Sequence, residues 1–245
     1  GIMPNDRQKF IDGVKSVRKY KNIHLGALGL QKEFSELDGY NNFHVIMAPV
    51  YKPMDLDVKP KFNFHTPLRL GFYGQYRKEK NLEFFLKAFV EAHFTEPVKL
   101  IVQGATVTQV DSDDFERLTK KYSGNGNIEF IHKNLLGMEW QQTLMDCDVM
   151  LLPYGAERYR YHWSAMSFTA IGFYKPILQS PEMNPEVMEE FNVGEIVNLD
   201  SVDKLSKQLE NFVNNYADKV KDYSIDLAKA NEKYSHEKLI QNVLN

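Results

Sequence analysis

Hydrophobic and polar positions follow two alternating periods along most of this chain. Apolar, β-prone runs occur at LRLGFYG (68–74), VKLIVQG (98–104), NIEFIH (127–132), DVMLLPY (148–154), KPILQS (175–180) and GEIVNL (194–199). Helical spacing stands between them. Leu82, Phe85, Leu86, Phe89 and Val90 recur at i, i+3, i+4, i+7 and i+8, one face of a helix. Ser112, Asp113 and Asp114 offer a helix start before Phe115 and Leu118, and Met138 to Asp146 and Ser164 to Phe173 read as further helices. Continuous apolar runs separated by helices predict a parallel sheet covered on both faces. With right-handed crossovers, that is a doubly wound α/β domain. Val202 to Phe212, Val220 to Ala230 and His236 to Leu244 read as closing helices.

The first 66 residues differ. Asp6 to Lys19 reads as a helix, NIHLGAL (22–28) as a strand, Gln31 to Leu37 as a helix and FHVIMAP (43–49) as a strand. Pro49, Pro53, Pro60 and Pro67 follow, with Lys52, Lys59 and Lys61 among them, which is linker chemistry. One and a half α/β repeats do not make a domain, so this segment packs on the rest or is the tail of a domain whose front lies elsewhere. Gly1 and Ile2 ahead of Met3 suggest residues left from cloning or a chain cut from something longer.

Composition narrows the possibilities. The 245 residues, 43% of them hydrophobic, are ample for a core, and the net charge of −3 gives no whole-surface attraction to nucleic acid or anionic lipid. The single cysteine, Cys147, rules out an intrachain disulfide and reads as a buried thiol. No histidine pair has the spacing of a helical zinc site, and no metal is expected. No apolar run reaches the roughly 20 residues of a membrane span, and no signal peptide is visible. A cytoplasmic setting is expected.

In a doubly wound sheet, ligands sit at the carboxyl ends of the strands, in the loops that enter helices. Two such loops stand out. Gly74 to Asn81 combines a glycine with Arg77, Lys78 and Lys80 at a helix start, suited to a phosphate and equally to a solvated turn. It is neither a dinucleotide fingerprint nor a Walker loop. Tyr154 to Ser164 packs Arg158, Arg160, His162 and four aromatics into eleven residues, the composition of a recognition loop or of a packed loop with arginines stacked on tyrosines. Ser164 fits a helix cap or a phosphate site. Five Arg and Lys side chains from these loops share one edge, which favours a multiply charged anion such as a diphosphate.

The residues also resemble a known family. LRLGFYGQYRKEKNLEFFLKAF is similar to the G-R-L-x-x-x-K-G opening of the carboxyl-terminal domain of retaining GT-B glycosyltransferases, a Rossmann-like fold. Gly74 matches the motif glycine and Lys80 the lysine that grips the donor diphosphate. Asn81 stands where glycine is usual and Gln75 where arginine is, with Arg77 two residues on. TAIGFYKPIL (169–178) aligns with E-A-M-A-x-G-K-P-V-I, which puts Thr169 and Tyr161 at the two glutamates of E-x7-E. Those glutamates normally hold the nucleotide ribose and contact the donor sugar, so both are absent here. Ser164 falls at the glycine whose amide faces the β-phosphate, and PEVMEEFNVGEIVNLDSVDKLSKQL is similar to the family's later segment.

The resemblance implies a division of the chain. Residues 1–50 would be the tail of an acceptor-side α/β domain, 51–66 the interdomain linker, 67–233 the sugar-nucleotide donor domain, and 234–245 a crossover helix. It implies a retaining hexosyl-type glycosyltransferase, as part of a longer chain, acting in cell-surface polysaccharide biosynthesis. Its substrates would be a UDP- or GDP-type sugar and a glycan or lipid-linked acceptor, with no cofactor. Gly74, Arg77, Lys80, Arg160 and Ser164 would bind the diphosphate, Tyr161 and Thr169 would lie at the sugar or ribose, and His132, Lys133 and Asn134 at the base. No residue is identified as catalytic. Peripheral contact with the inner face of the membrane would fall to the missing acceptor-side domain. The missing glutamates keep open a non-catalytic sugar-nucleotide-binding module, and the loops alone leave open an unrelated α/β protein that binds another phosphate ligand.

Overall fold

A computed structural model describes residues 3–28, 31–46, 48–53 and 56–244. Gly1, Ile2 and the predicted strand position at Met47 lie outside these residues. The amino-terminal part contains α1 (Arg7–Val17), β1 (Leu25–Leu28) and β2 (Phe43–Ile46), and the two strands pair in parallel. The predicted helix over 31–37 is instead 3-10 backbone interrupted at Phe34, whose φ of −128° is not helical. Ile11, Val14, Phe34, Leu37 and Phe43 form a small core of their own, with Phe10 edge-on to both Phe34 and Phe43.

The larger part runs β3 (Leu68–Phe72), α2 (Leu82–Glu91), β4 (Val98–Gln103), α3 (Gln109–Tyr122), β5 (Ile128–Ile131), α4 (Gly137–Met145) and β6 (Val149–Leu152). It continues with α5 (Ala165–Gly172), β7 (Ile177–Gln179), α6 (Pro185–Glu190), β8 (Gly194–Ile196), α7 (Val202–Asn214), α8 (Tyr216–Lys233) and α9 (His236–Leu244). The six strands form one parallel sheet in the order β5-β4-β3-β6-β7-β8. That is a doubly wound parallel sheet, the fold class expected from the sequence. All residues of β6 and β7 are buried, as strands covered on both faces must be. α2 packs against α7, and α5 against α8.

The local chemistry explains most boundaries. α2 buries Leu82, Phe85, Leu86 and Phe89, but Val90 points outward at 46% exposure. α3 starts earlier than Ser112, because Thr108 caps it by accepting from the Asp111 amide. α6 was not anticipated: six residues are too few to show a helical period. Cys147 is fully buried, as expected, and burial pushes its thiol up to about 12.

The segment between β2 and β3 is bound along the larger part rather than standing free. The Val50 amide donates to the Tyr234 carbonyl at 2.8 Å, and the Ser224 hydroxyl donates to the Lys61 carbonyl. The Asp148 carboxylate accepts from the Arg69 amide at 2.9 Å and pairs with His65 Nδ1 at 2.8 Å. No helix among the described residues is long and apolar enough to cross a membrane.

Candidate functional site at the sheet switch point

The strand order reverses between β3 and β6, and this is where a doubly wound sheet opens a crevice at its carboxyl end. The two loops singled out in the sequence are the ones that leave these two strands. After β3 the chain turns at Gly74, whose φ of +100° requires glycine. The Gly74 amide donates to Gln103 Oε1 at 2.8 Å, and Gln103 Nε2 donates to the Lys133 carbonyl at 2.5 Å. One buried side chain thus ties together the ends of β3, β4 and β5. The sequence reading missed Gln103. Its signal was an amide side chain closing an otherwise apolar strand. Gln103→Leu leaves a buried donor and a buried acceptor unpaired, at about 1–3 kcal/mol each. We expect a melting temperature lower by about 4 °C or more in thermal unfolding.

Asn81 heads α2 with φ +57°, the left-handed region that asparagine tolerates best among residues with a side chain. This accounts for asparagine at a position where the resembling family has glycine.

Lys80 sits just before that turn and is only 8% exposed. Its Nζ donates to the Tyr154 hydroxyl at 3.3 Å and lies 4.5 Å from the centroid of the Tyr154 ring. No carboxylate pairs with it among the described residues. Burial, then Arg77, then Arg158 lower its pKa to about 8, and Glu79 opposes them weakly. Lys175 makes a useful contrast. Burial also brings it to about 8, but its ammonium donates to the carbonyls of Met145 at 2.9 Å and Cys147 at 2.5 Å. Lys175 is committed to structure, whereas Lys80 keeps donors for a ligand.

The loop after β6 makes a short 3-10 turn, Glu157–Tyr161, then enters α5. Ser164 is buried and caps α5 by accepting from the Ser167 amide at 3.1 Å. Its own amide was expected to face a phosphate. It donates instead to Asn184 Oδ1 at 2.8 Å, because the fully buried Asn184 leans in from the turn before α6. Helix geometry leaves the first-turn amides of Ala165 and Met166 without an acceptor inside α5. A side-chain carbon on Gly74 would lie 3.6 Å from the Met166 sulfur, so the loop after β3 meets the first turn of α5 here. Arg160 is exposed and has no acid partner among the described residues, while Arg158 is the arginine turned toward the Lys80 cluster. Tyr161 is half-buried beside the amino-terminal turn Pro4–Asp6, and Thr169 is buried in α5.

A cleft of about 430 Å³ opens at the carboxyl ends of β3, β4 and β5, lined among others by Gly74, Gln103, Thr106, Asn134, Leu136 and Trp140. Of the three residues expected near a base, only Asn134 lines it. His132 turns to Thr106 Oγ1 at 3.0 Å and packs at a tilt against Phe115, and the Lys133 ammonium pairs with Glu139 at 2.6 Å. The rim is apolar, with Val107 at 77% and Leu136 at 71% exposure.

No family model matches the sequence, and no curated protein matches it. Solved structures do match in shape. HepE from Anabaena, in complex with UDP and glucose, superposes with a TM-score of 0.72 at 14% identity, over 100% of this chain and 68% of that one. A mutant of TarM from S. aureus, in complex with fondaparinux, alpha-GlcNAc-glycerol and UDP, gives 0.69 at 13% identity, over 98% of this chain and 46% of that one. The carboxyl-terminal domain of LpcC, a group 1 glycosyl transferase from Francisella tularensis, gives 0.57 at 14% identity, over 76% of this chain and 97% of that one. The chain spans about two thirds of HepE and under half of TarM. What these proteins share with this chain is the fold, and that fold is the one of the GT-B glycosyltransferases.

Proposed function

We propose that this chain binds the donor of a retaining glycosyltransferase: a UDP- or GDP-type sugar whose hexosyl group passes to a glycan or lipid-linked acceptor. The observation that carries this reading is Lys80. A buried ammonium without a carboxylate partner among the described residues, at the carboxyl end of the switch-point strands, suits an anion that arrives with the ligand. HepE, which has the same fold, is described with UDP and with UDP-glucose.

In this reading the diphosphate lies between Gly74 and the start of α5. Lys80 and Arg77 stabilise the charge that develops on the leaving nucleoside diphosphate, together with the free amides of α5. The base enters the cleft beside Asn134, between the apolar rim and Trp140. The donor sugar lies toward Tyr161 and Thr169. Cell-surface polysaccharide synthesis on the cytoplasmic side of a membrane is the setting that fits such substrates.

A thermal-shift panel of UDP, GDP, ADP and CMP, each with and without its sugar, tests this directly. We expect one nucleoside diphosphate to raise the melting temperature. No response to any of them would leave the reading without support. A second reading is favoured by Thr169 and Tyr161 standing where the resembling family has glutamates. It is a non-catalytic module that binds the same ligand. Binding without turnover of a hydrolysable donor, measured on the whole enzyme, would favour that module.

A further inference from the structure

The charges around Lys80 do not come from one loop. Arg158, from the turn after β6, forms an ion pair from Nη2 to Glu79 Oε1 at 2.6 Å. Arg77, from the loop after β3, approaches the same oxygen at 3.7 Å. Two arginines, one from each loop, therefore converge on a single carboxylate oxygen. Lys80 and Arg158 are also joined through two tyrosine rings. The ammonium lies 4.5 Å from the Tyr154 centroid, the Tyr154 and Tyr159 centroids are 5.1 Å apart, and the guanidinium lies 5.0 Å from the Tyr159 centroid.

Arg158 is held rather than loose. Its side chain is 20% exposed, against 38% for Arg77. Its Nε is buried and has no hydrogen-bond partner among the described residues. A buried donor without an acceptor is rare in folded proteins and marks a group waiting for one. A planar guanidinium fixed on an aromatic face is also the side chain best suited to a bidentate phosphate contact.

Resting on the nucleotide-sugar reading, we infer that Arg158 is a diphosphate-binding residue supplied across the switch point, and that Glu79 is an internal counter-ion that the diphosphate displaces. Gln75 stands where an arginine would otherwise come from the loop after β3. The second loop makes up that charge. While the site is empty, Glu79 Oε1 stands in for a phosphate oxygen and keeps the arginines together. When a diphosphate enters, its oxygens take over Arg158 and Arg77, and the glutamate turns to solvent.

The two roles predict opposite responses. Calorimetric titration with UDP and uridine, and with GDP and guanosine, reads both. Arg158→Ala is expected to weaken the diphosphate at least tenfold and to leave the matching nucleoside within twofold. Arg158→Lys should recover part of the loss. Glu79→Gln is expected to bind the diphosphate about threefold more tightly, because a competing anion has been removed. Equal losses of diphosphate and nucleoside in Arg158→Ala would make the arginine structural and overturn the assignment, as would unchanged diphosphate affinity. Weaker or unchanged binding by Glu79→Gln would show that the carboxylate orders the loop instead of competing. If the unsubstituted protein binds neither diphosphate, the nucleotide reading itself falls, a result distinct from all of these.

Discussion

Replacing Lys80 with methionine will raise the melting temperature of the unliganded protein by about 5 °C and remove its affinity for nucleoside diphosphates. The two effects have one cause. Burial, Arg77 and Arg158 bring the Lys80 ammonium from 10.5 to about 8. Below pH 8 the folded chain therefore holds a charged lysine that the unfolded chain holds more easily. Two and a half pKa units correspond to roughly 3 kcal/mol of destabilisation at neutral pH. Methionine has the length to fill the same space against Phe72 and Tyr154 without the charge. It forfeits the cation–π contact, so the net gain is smaller than the full figure. For a chain of this size, each kcal/mol moves the melting temperature by about 2–4 °C.

The same shift fixes the direction of two pH effects. Between pH 8 and 10.5 the unfolded state binds the proton that the folded state has lost, so the Lys80 contribution makes stability rise with pH across that window. Binding runs the other way. A diphosphate raises the lysine back toward its ordinary value, so binding takes up a proton above pH 8. Affinity should fall about tenfold between pH 7 and pH 9 as the free lysine deprotonates. Calorimetry in two buffers of different ionisation enthalpy reads the uptake, and Lys80→Met should show none. A variant that melts lower than the parent, or that binds diphosphate as well, would remove Lys80 from the site.

The sheet was legible because each buried strand is a short apolar run that ends in a change of chemistry. LRLGFYG closes on Gly74 and DVMLLPY on Tyr154, and both runs lie where the strands are. The placement of the two loops at one edge was legible for the same reason, since the strands of a parallel sheet all end at the same edge. What lay beyond the sequence is the direction of individual side chains. Arg158 and Arg160 look alike in a run of alternating arginine and tyrosine. Only the 3-10 turn shows that Arg158 faces Glu79 and that Arg160 faces solvent. The amide of Ser164 was misplaced because its partner, Asn184, lies 20 residues later, beyond any local pattern. Gln103 was missed because a polar residue ending a strand reads as a loop residue until its two partners are known.

Gly172→Ala will be strongly destabilising although it lies outside the site. Gly172 ends α5, and the segment between β2 and β3 crosses it with no room to spare. A β-carbon there would lie 1.8 Å from the Tyr51 carbonyl oxygen and 2.7 Å from its carbonyl carbon. These are backbone atoms, so no rotamer change relieves the clash. The crossing is also fastened on each side. The Asn231 amide donates to the Ile171 carbonyl at 3.0 Å, Tyr51 stacks on Phe173 with centroids 6.0 Å apart, and Gln141 Nε2 donates to the Tyr51 hydroxyl at 3.2 Å. Either the crossing segment lifts and loses these contacts, or α5 shifts and carries the Ser164 cap with it. Overpacking of this kind costs about 3 kcal/mol or more, a melting temperature lower by at least about 6 °C. Gly13→Ala is the matched control, because nothing lies within 4 Å of a β-carbon at that exposed position in α1. Alanine there should stabilise by about 0.5–1 kcal/mol. Melting curves of the two variants decide whether the segment is clamped on α5. If Gly172→Ala melts with the parent, the segment between β2 and β3 is not clamped on α5 by this contact.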